Sequence, residues 1–171
     1  MQLLLALALF AGATADTAPA PCRAADEGKA LDFWIGAWTV TSEDGATPYG
    51  VNLIEMALDG CAIFENWTGS GGGEGKSLFS FDARRGAWDQ VWVTNDTRKT
   101  GGVKHKRLTQ HVGGGVRFEG EIISENGAPY LDRTTLTPLG DGRVRQMIEI
   151  STDAGKTWRA TFDGYYARKP A

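Results

Sequence analysis

Ten short runs of strand-forming residues, each closed by Gly, Asp or Asn, occupy this chain from Trp38 to Phe162 and leave little room for helix. They cover Trp38 to Thr41, Gly50 to Leu58, Cys61 to Thr68, Lys76 to Phe81, Trp88 to Thr94, Val103 to Val112, Val116 to Ile123, Tyr130 to Thr137, Arg143 to Ile150 and Trp158 to Phe162. The joints between them are turn-forming sets: Asp59-Gly60, the glycine-rich Gly69 to Gly75, Asp82 to Gly86, Asn95-Asp96, Gly113 to Gly115, Asn126-Gly127 and Asp141-Gly142. Short connections make neighbouring runs antiparallel, and closing such a meander removes its exposed edges. The sequence therefore predicts an all-β fold, an antiparallel up-and-down β-barrel of about ten strands. Ala24 to Phe33, with Asp26 and Glu27 early, is expected to add one or two turns of helix ahead of the first strand.

The segment before that points to export. Leu3 to Ala11 is apolar but short of the roughly 20 residues that span a bilayer, and Ala13-Thr14-Ala15 offers a small-x-small cleavage site before Asp16. Its n-region has no Lys or Arg, and an uncleaved anchor is the alternative to a signal peptide over 1–15. The reading divides the chain into that leader, a tail and short helix over 16–30, and a barrel domain over 31–171, periplasmic or secreted. No second apolar segment predicts an integral membrane span. Eighteen basic against 21 acidic residues give a net charge of -3 with no long run of one sign, which argues against a nucleic-acid or polybasic membrane surface. The local cluster from Arg98-Lys99 through Lys104-His105-Lys106-Arg107 is spread by alternation over both faces of a strand. The two cysteines, Cys22 and Cys61, suit a disulfide tying the tail to the barrel in an oxidising compartment, with independent thiols as the alternative.

Strand alternation also sorts faces. Asn52, Ile54, Met56 and Leu58 share one face, Ile63, Glu65 and Trp67 another, and Val144, Gln146, Ile148 and Ile150 a third. Apolar groups occur on both faces of several strands. That pattern fits a ligand-facing interior with an outer face partly covered by the N-terminal segment, and a solid core equally.

Gly36-Ala37-Trp38, following a helix-like segment and opening the first strand, resembles the Gly-x-Trp signature of the lipocalins and the wider calycin group. The resemblance implies that Trp38 closes the barrel base against a basic residue near the last strand, with Arg168 the candidate and Arg159 next. The wider set Leu31 to Trp38, Leu58 to Cys61, Glu65-Asn-Trp67, Trp88 to Trp92, Arg143 to Gln146 and Trp158 is similar to small secreted bacterial proteins of a domain-of-unknown-function class with a calycin-like barrel. Ser151 to Trp158 resembles an Asp-box hairpin, in which Asp153 would accept turn amides and Trp158 would anchor the turn.

Candidates for chemistry are few. His105 and His111 lie on one face of a strand, about 20 Å apart at the usual rise, too far to share a metal ion with ligand bonds near 2 Å; no metal and no cofactor is assigned. His105 alone is a candidate haem ligand, set against a solvated histidine. Among the charged strand residues Glu55, Glu65, Glu119, Glu149, Arg133 and Arg159, a Glu65–Arg133 pair inside the barrel is singled out, against outward placement of each. Trp67, Trp88 and Trp92, with Gln90 between the last two, are read as an apolar wall with one amide, or else as packed core. No Gly-x-Ser-x-Gly elbow exists, while Asn66-Trp-Thr68 and Asn95-Asp-Thr97 form glycosylation triplets. Taken together, the residues suggest an exported barrel binding a small, mainly apolar ligand. The rivals are an enzyme of cyclase, hydratase or isomerase type using a buried carboxylate or His105, a haem-binding barrel, or an envelope interaction module with a solid core.

Overall fold

A computed structural model describes residues 21–98 and 101–169; the proposed leader over 1–15 and most of the tail lie outside that range. Ten strands, β1 (Gly36–Thr41), β2 (Pro48–Ala57), β3 (Ala62–Gly69), β4 (Glu74–Asp82), β5 (Ala87–Thr94), β6 (Val103–Val112), β7 (Gly115–Ile123), β8 (Pro129–Pro138), β9 (Val144–Ser151) and β10 (Arg159–Arg168), form a closed antiparallel barrel. Each strand pairs with its neighbours in sequence, and β10 closes on β1 with Trp38 opposite Arg168 and Val40 opposite Tyr166. The closing strand runs to Arg168, well past Phe162, because β1 supplies hydrogen-bond partners that a sequence reading cannot see. Asp59-Gly60 is not a two-residue hairpin. Ala57 pairs with Ala62, and Leu58 to Gly60 form a 3₁₀ turn with positive φ at Leu58 and Asp59.

The N-terminal helix takes the form of three 3₁₀ turns, Pro21–Arg23, Asp26–Lys29 and Asp32–Trp34. They do not drape over the outer face. They plug one end of the barrel, where Leu31 and Trp34 are fully buried. Trp34 stands edge-on to Phe79 (5.6 Å between ring centroids) and Tyr166 (6.1 Å), and its carbonyl accepts the Trp38 indole N–H at 2.8 Å. Arg168 stacks over Trp38 with its guanidinium carbon 4.1 Å from the ring centroid, and it donates to the Ile35 carbonyl at 2.5 Å. Three further ties hold the plug. Trp88 donates its indole N–H to the Glu27 carbonyl at 2.9 Å, Arg23 forks onto both oxygens of Asp32 at 2.6 Å, and Cys22 is bridged to Cys61. A cross-link spanning 39 residues of sequence restrains the unfolded chain by about 2–4 kcal/mol.

Packed rings therefore fill the plugged end: Trp34, Trp38, Phe79, Trp88, Phe118 and Tyr166 belong to one buried cluster. The opposite end carries the connection between β9 and β10, the Ser151 to Trp158 turn. There Asp153 accepts the Thr157 amide at 2.9 Å and hydroxyl at 2.6 Å, and Ser151 donates to it at 2.7 Å. Those donors hold the half-buried Asp153 carboxyl down at about 2. Trp158 donates to the Gly155 carbonyl at 3.1 Å, and Arg133 lies 4.0 Å from its ring centroid.

Candidate functional site

Away from the plug, the barrel interior opens into a cavity of about 260 Å³. Its walls follow from strand parity. On β5, Trp88, Gln90 and Trp92 all point inward, but the strand rises about 3.3 Å per residue, so Trp88 sits in the packed end against Phe81 while Trp92 reaches the mouth. Trp67 of β3 and Phe162 of β10 meet edge-on at the mouth with centroids 6.0 Å apart, and Ile148 of β9 completes the apolar rim. Gly75 of β4, opposite Trp67, makes room for the Trp92 ring: a Cβ there would lie 2.1 Å from the indole. Any side chain at 75 would displace Trp92.

Below this rim the walls turn polar. Glu65 is buried with both oxygens engaged, accepting from Asn52 Nδ2 at 2.8 Å and from Ser77 Oγ at 2.6 Å. Gln90 Nε2 donates in turn to Ser77 Oγ at 3.0 Å. The Tyr166 hydroxyl donates to Gln146 Oε1 at 2.6 Å. Burial pushes the Glu65 carboxyl above its usual range, with the two hydrogen bonds and Lys106 opposing that shift, and burial together with Glu65 keeps the Tyr166 phenol protonated well beyond neutrality. Gln90 Oε1 and Asn52 Oδ1 are buried and accept no hydrogen bond from the described residues. An unpaired buried amide oxygen costs stability unless water or a ligand supplies a donor.

Across the interior, Asp132 of β8 is fully buried and takes two ammonium groups from β6. Lys106 donates to Oδ1, and Lys104 donates to Oδ2 at 2.6 Å; Lys106 also donates to Thr134 Oγ1 at 2.6 Å. Lys104, Lys106, Thr134 and Gln146 all line the cavity. The Lys106 ammonium is pushed down to about 8, first by burial and then by the neighbouring Lys104, against the attraction of Asp132 and Glu65.

The residues picked from the sequence divide cleanly by face. Glu65, Trp67, Gln90 and Trp92 line the cavity, and Trp88 is inward but packed in the closed end. His105 and Arg133 face outward, which overturns both the interior Glu65–Arg133 pair and the haem reading. Arg133 forks instead onto Glu149 at 2.7 and 3.1 Å on the outer surface. His105 is exposed between its inward neighbours Lys104 and Lys106, and His111 is exposed too, so neither histidine reaches the interior. Glu55 is exposed as well, beside Asn66. Lys104, Lys106, Asp132, Thr134 and Phe162 were missed. The signal that finds the two lysines is register: Gln90 faces Lys106 and Trp92 faces Lys104 across β5 and β6, so the lysines share the side of Gln90 and Trp92. The connection from Asn95 to Gly102 is too long for that register to be read from sequence.

No family model matches the chain, and no curated protein sequence matches it.

Proposed function

We propose that this chain is a periplasmic or secreted calycin-like barrel that binds one small, mainly apolar ligand with a polar end. The observation that supports this most is the arrangement of the open half of the interior. Trp67, Trp92, Phe162 and Ile148 form an apolar rim over a floor of Lys104, Lys106, Gln90, Thr134 and Gln146. Apolar burial would drive entry, at roughly 25 cal/mol per Å², and the floor would orient the polar end. A cavity of about 260 Å³ falls just below the range of drug-sized pockets, about 300–1,000 Å³, and therefore suits a compact molecule. Export is supported by the apolar run Leu3 to Ala11, the Ala13-Thr14-Ala15 site and the Cys22–Cys61 bridge, which persists in oxidising compartments. Kinship with the calycins is supported by Gly36-Ala37-Trp38 and by Arg168 stacked on Trp38. Use of Glu65 as a general acid is less well supported, because both its oxygens are occupied by Asn52 and Ser77.

Titration calorimetry with 2-naphthylmethanol, an aromatic body with one hydroxyl, tests the reading. Saturable one-to-one binding is expected. Trp92→Ala should weaken it about tenfold, equivalent to ~1.4 kcal/mol, whereas Phe64→Ala on the outer face should leave it unchanged. Absence of saturable binding, or binding indifferent to Trp92, overturns the reading.

A further inference from the structure

We propose that Lys106 is a nucleophile that captures small apolar aldehydes or ketones in the cavity as an imine. The inference rests on the cavity being a ligand site and adds the chemical class of the ligand. It starts from a charge imbalance: one fully buried carboxylate, Asp132, holds two ammonium groups. Lys104, the more exposed of the pair, suffices to neutralise it. Lys106 can therefore shed its proton without leaving Asp132 unpaired, whereas a lysine alone on a buried carboxylate could not. Glu65 is the other acid facing the cavity, and its burial favours the neutral form, which weakens its hold on the Lys106 ammonium. Tyr166, the remaining titratable group facing the cavity, stays a neutral phenol. Desolvation beside a second cation is the setting in which a lysine amine becomes nucleophilic near neutrality.

Position completes the case. Thr134 and Asp132 hold Lys106 Nζ, and Lys106 and Thr134 both line the cavity whose rim is aromatic. A carbonyl compound with its apolar body against Trp67 and Trp92 would bring its polar end to that amine. The Nζ lone pair attacks the carbonyl carbon, a C–N bond forms, and the C=O π pair moves to oxygen. An amine proton passes to that oxygen, giving a carbinolamine. A second proton from the Lys104 ammonium lets the oxygen leave as water while the nitrogen lone pair forms C=N, and the last amine proton returns to Lys104. Nothing is oxidised or reduced; the departing water carries one amine hydrogen and one from Lys104, which the second amine hydrogen replaces.

The test incubates the full-length protein with 2-naphthaldehyde and sodium cyanoborohydride, which reduces any imine to a stable secondary amine, and maps the label by peptide mass spectrometry. The expected result is one naphthylmethyl group per chain, on Lys106, at least tenfold faster than on the exposed Lys29, Lys76, Lys156 and Lys169. Because Lys106 titrates near 8, labelling should climb as pH rises from 6 to 8. Lys106→Met should lose the label; mapping the wild-type chain decides the matter even if that variant does not fold. Label on Lys104, or spread over the exposed lysines, in a protein that binds 2-naphthylmethanol overturns this inference and leaves the binding reading standing. Failure to bind the alcohol together with failure to label Lys106 overturns both.

Discussion

Trp34→Ala is expected to lower the free energy of unfolding by about 3–5 kcal/mol, the range for removing a large aromatic from a close-packed core. Trp34 is fully buried between Phe79 and Tyr166, and its carbonyl holds the Trp38 indole, so the cavity left behind opens at the point where plug and barrel meet. The plug is tethered through Cys22–Cys61 and cannot slide inward to fill it. Trp34→Phe should behave differently. The indole N–H of Trp34 is buried without an acceptor among the described residues, and its desolvation is a standing cost of about 1–3 kcal/mol. Phenylalanine removes that donor along with some packing, and the net loss should stay under about 1.5 kcal/mol. Chemical denaturation of the three proteins checks both numbers. A loss below about 1 kcal/mol in the alanine variant would mean that the plug does not belong to the cooperative core.

The second large effect belongs to Asp132. Asp132→Ala leaves two lysines facing a buried interior without their shared carboxylate, and breaking such a pair from one side costs about 3–5 kcal/mol. The sign of the pH dependence distinguishes this from simple loss of packing. Lys106 titrates near 8 in the folded chain against an ordinary 10.5. The unfolded chain therefore binds more protons between those values, and the penalty of burying the ammonium, fully present below about 8, is relieved as pH rises toward 10.5. Without Asp132 the folded value falls further, so relief should begin at lower pH. Denaturation from pH 6 to 9.5 should show the variant's deficit shrinking with pH. A deficit that stays constant would assign the loss to packing alone.

Much of the barrel was legible because alternation and turn residues are local properties. Asn126-Gly127 and Asp141-Gly142 mark their turns in the sequence, and the faces of Glu65, Trp67, Gln90 and Trp92 follow from period two once the strands are placed. The parts that were not legible depend on contacts distant in sequence. That β10 continues to Arg168 is set by pairing with β1, and that the N-terminal turns plug the barrel is set by the Trp34 pocket, where Phe79 of β4, Tyr166 of β10 and Trp38 of β1 meet. The Glu65–Arg133 pairing failed by one residue of register. Arg133 and Asp132 are neighbours on opposite faces, and the buried member is the aspartate, paired with lysines from the basic cluster that alternation spreads over both faces of a strand. An inward lysine looks no different from an outward one in a single sequence; only the register against Gln90 and Trp92 separates Lys106 from His105.

The most direct test of the proposed binding is native mass spectrometry of the protein, purified gently from the cells that produce it and then extracted under denaturing conditions. The predicted result is a small molecule of one defined mass, retained by the folded chain, released on unfolding and retained less by Trp92→Ala. A wild-type chain that is folded, carries its Cys22–Cys61 bridge and flies at its bare mass would contradict it.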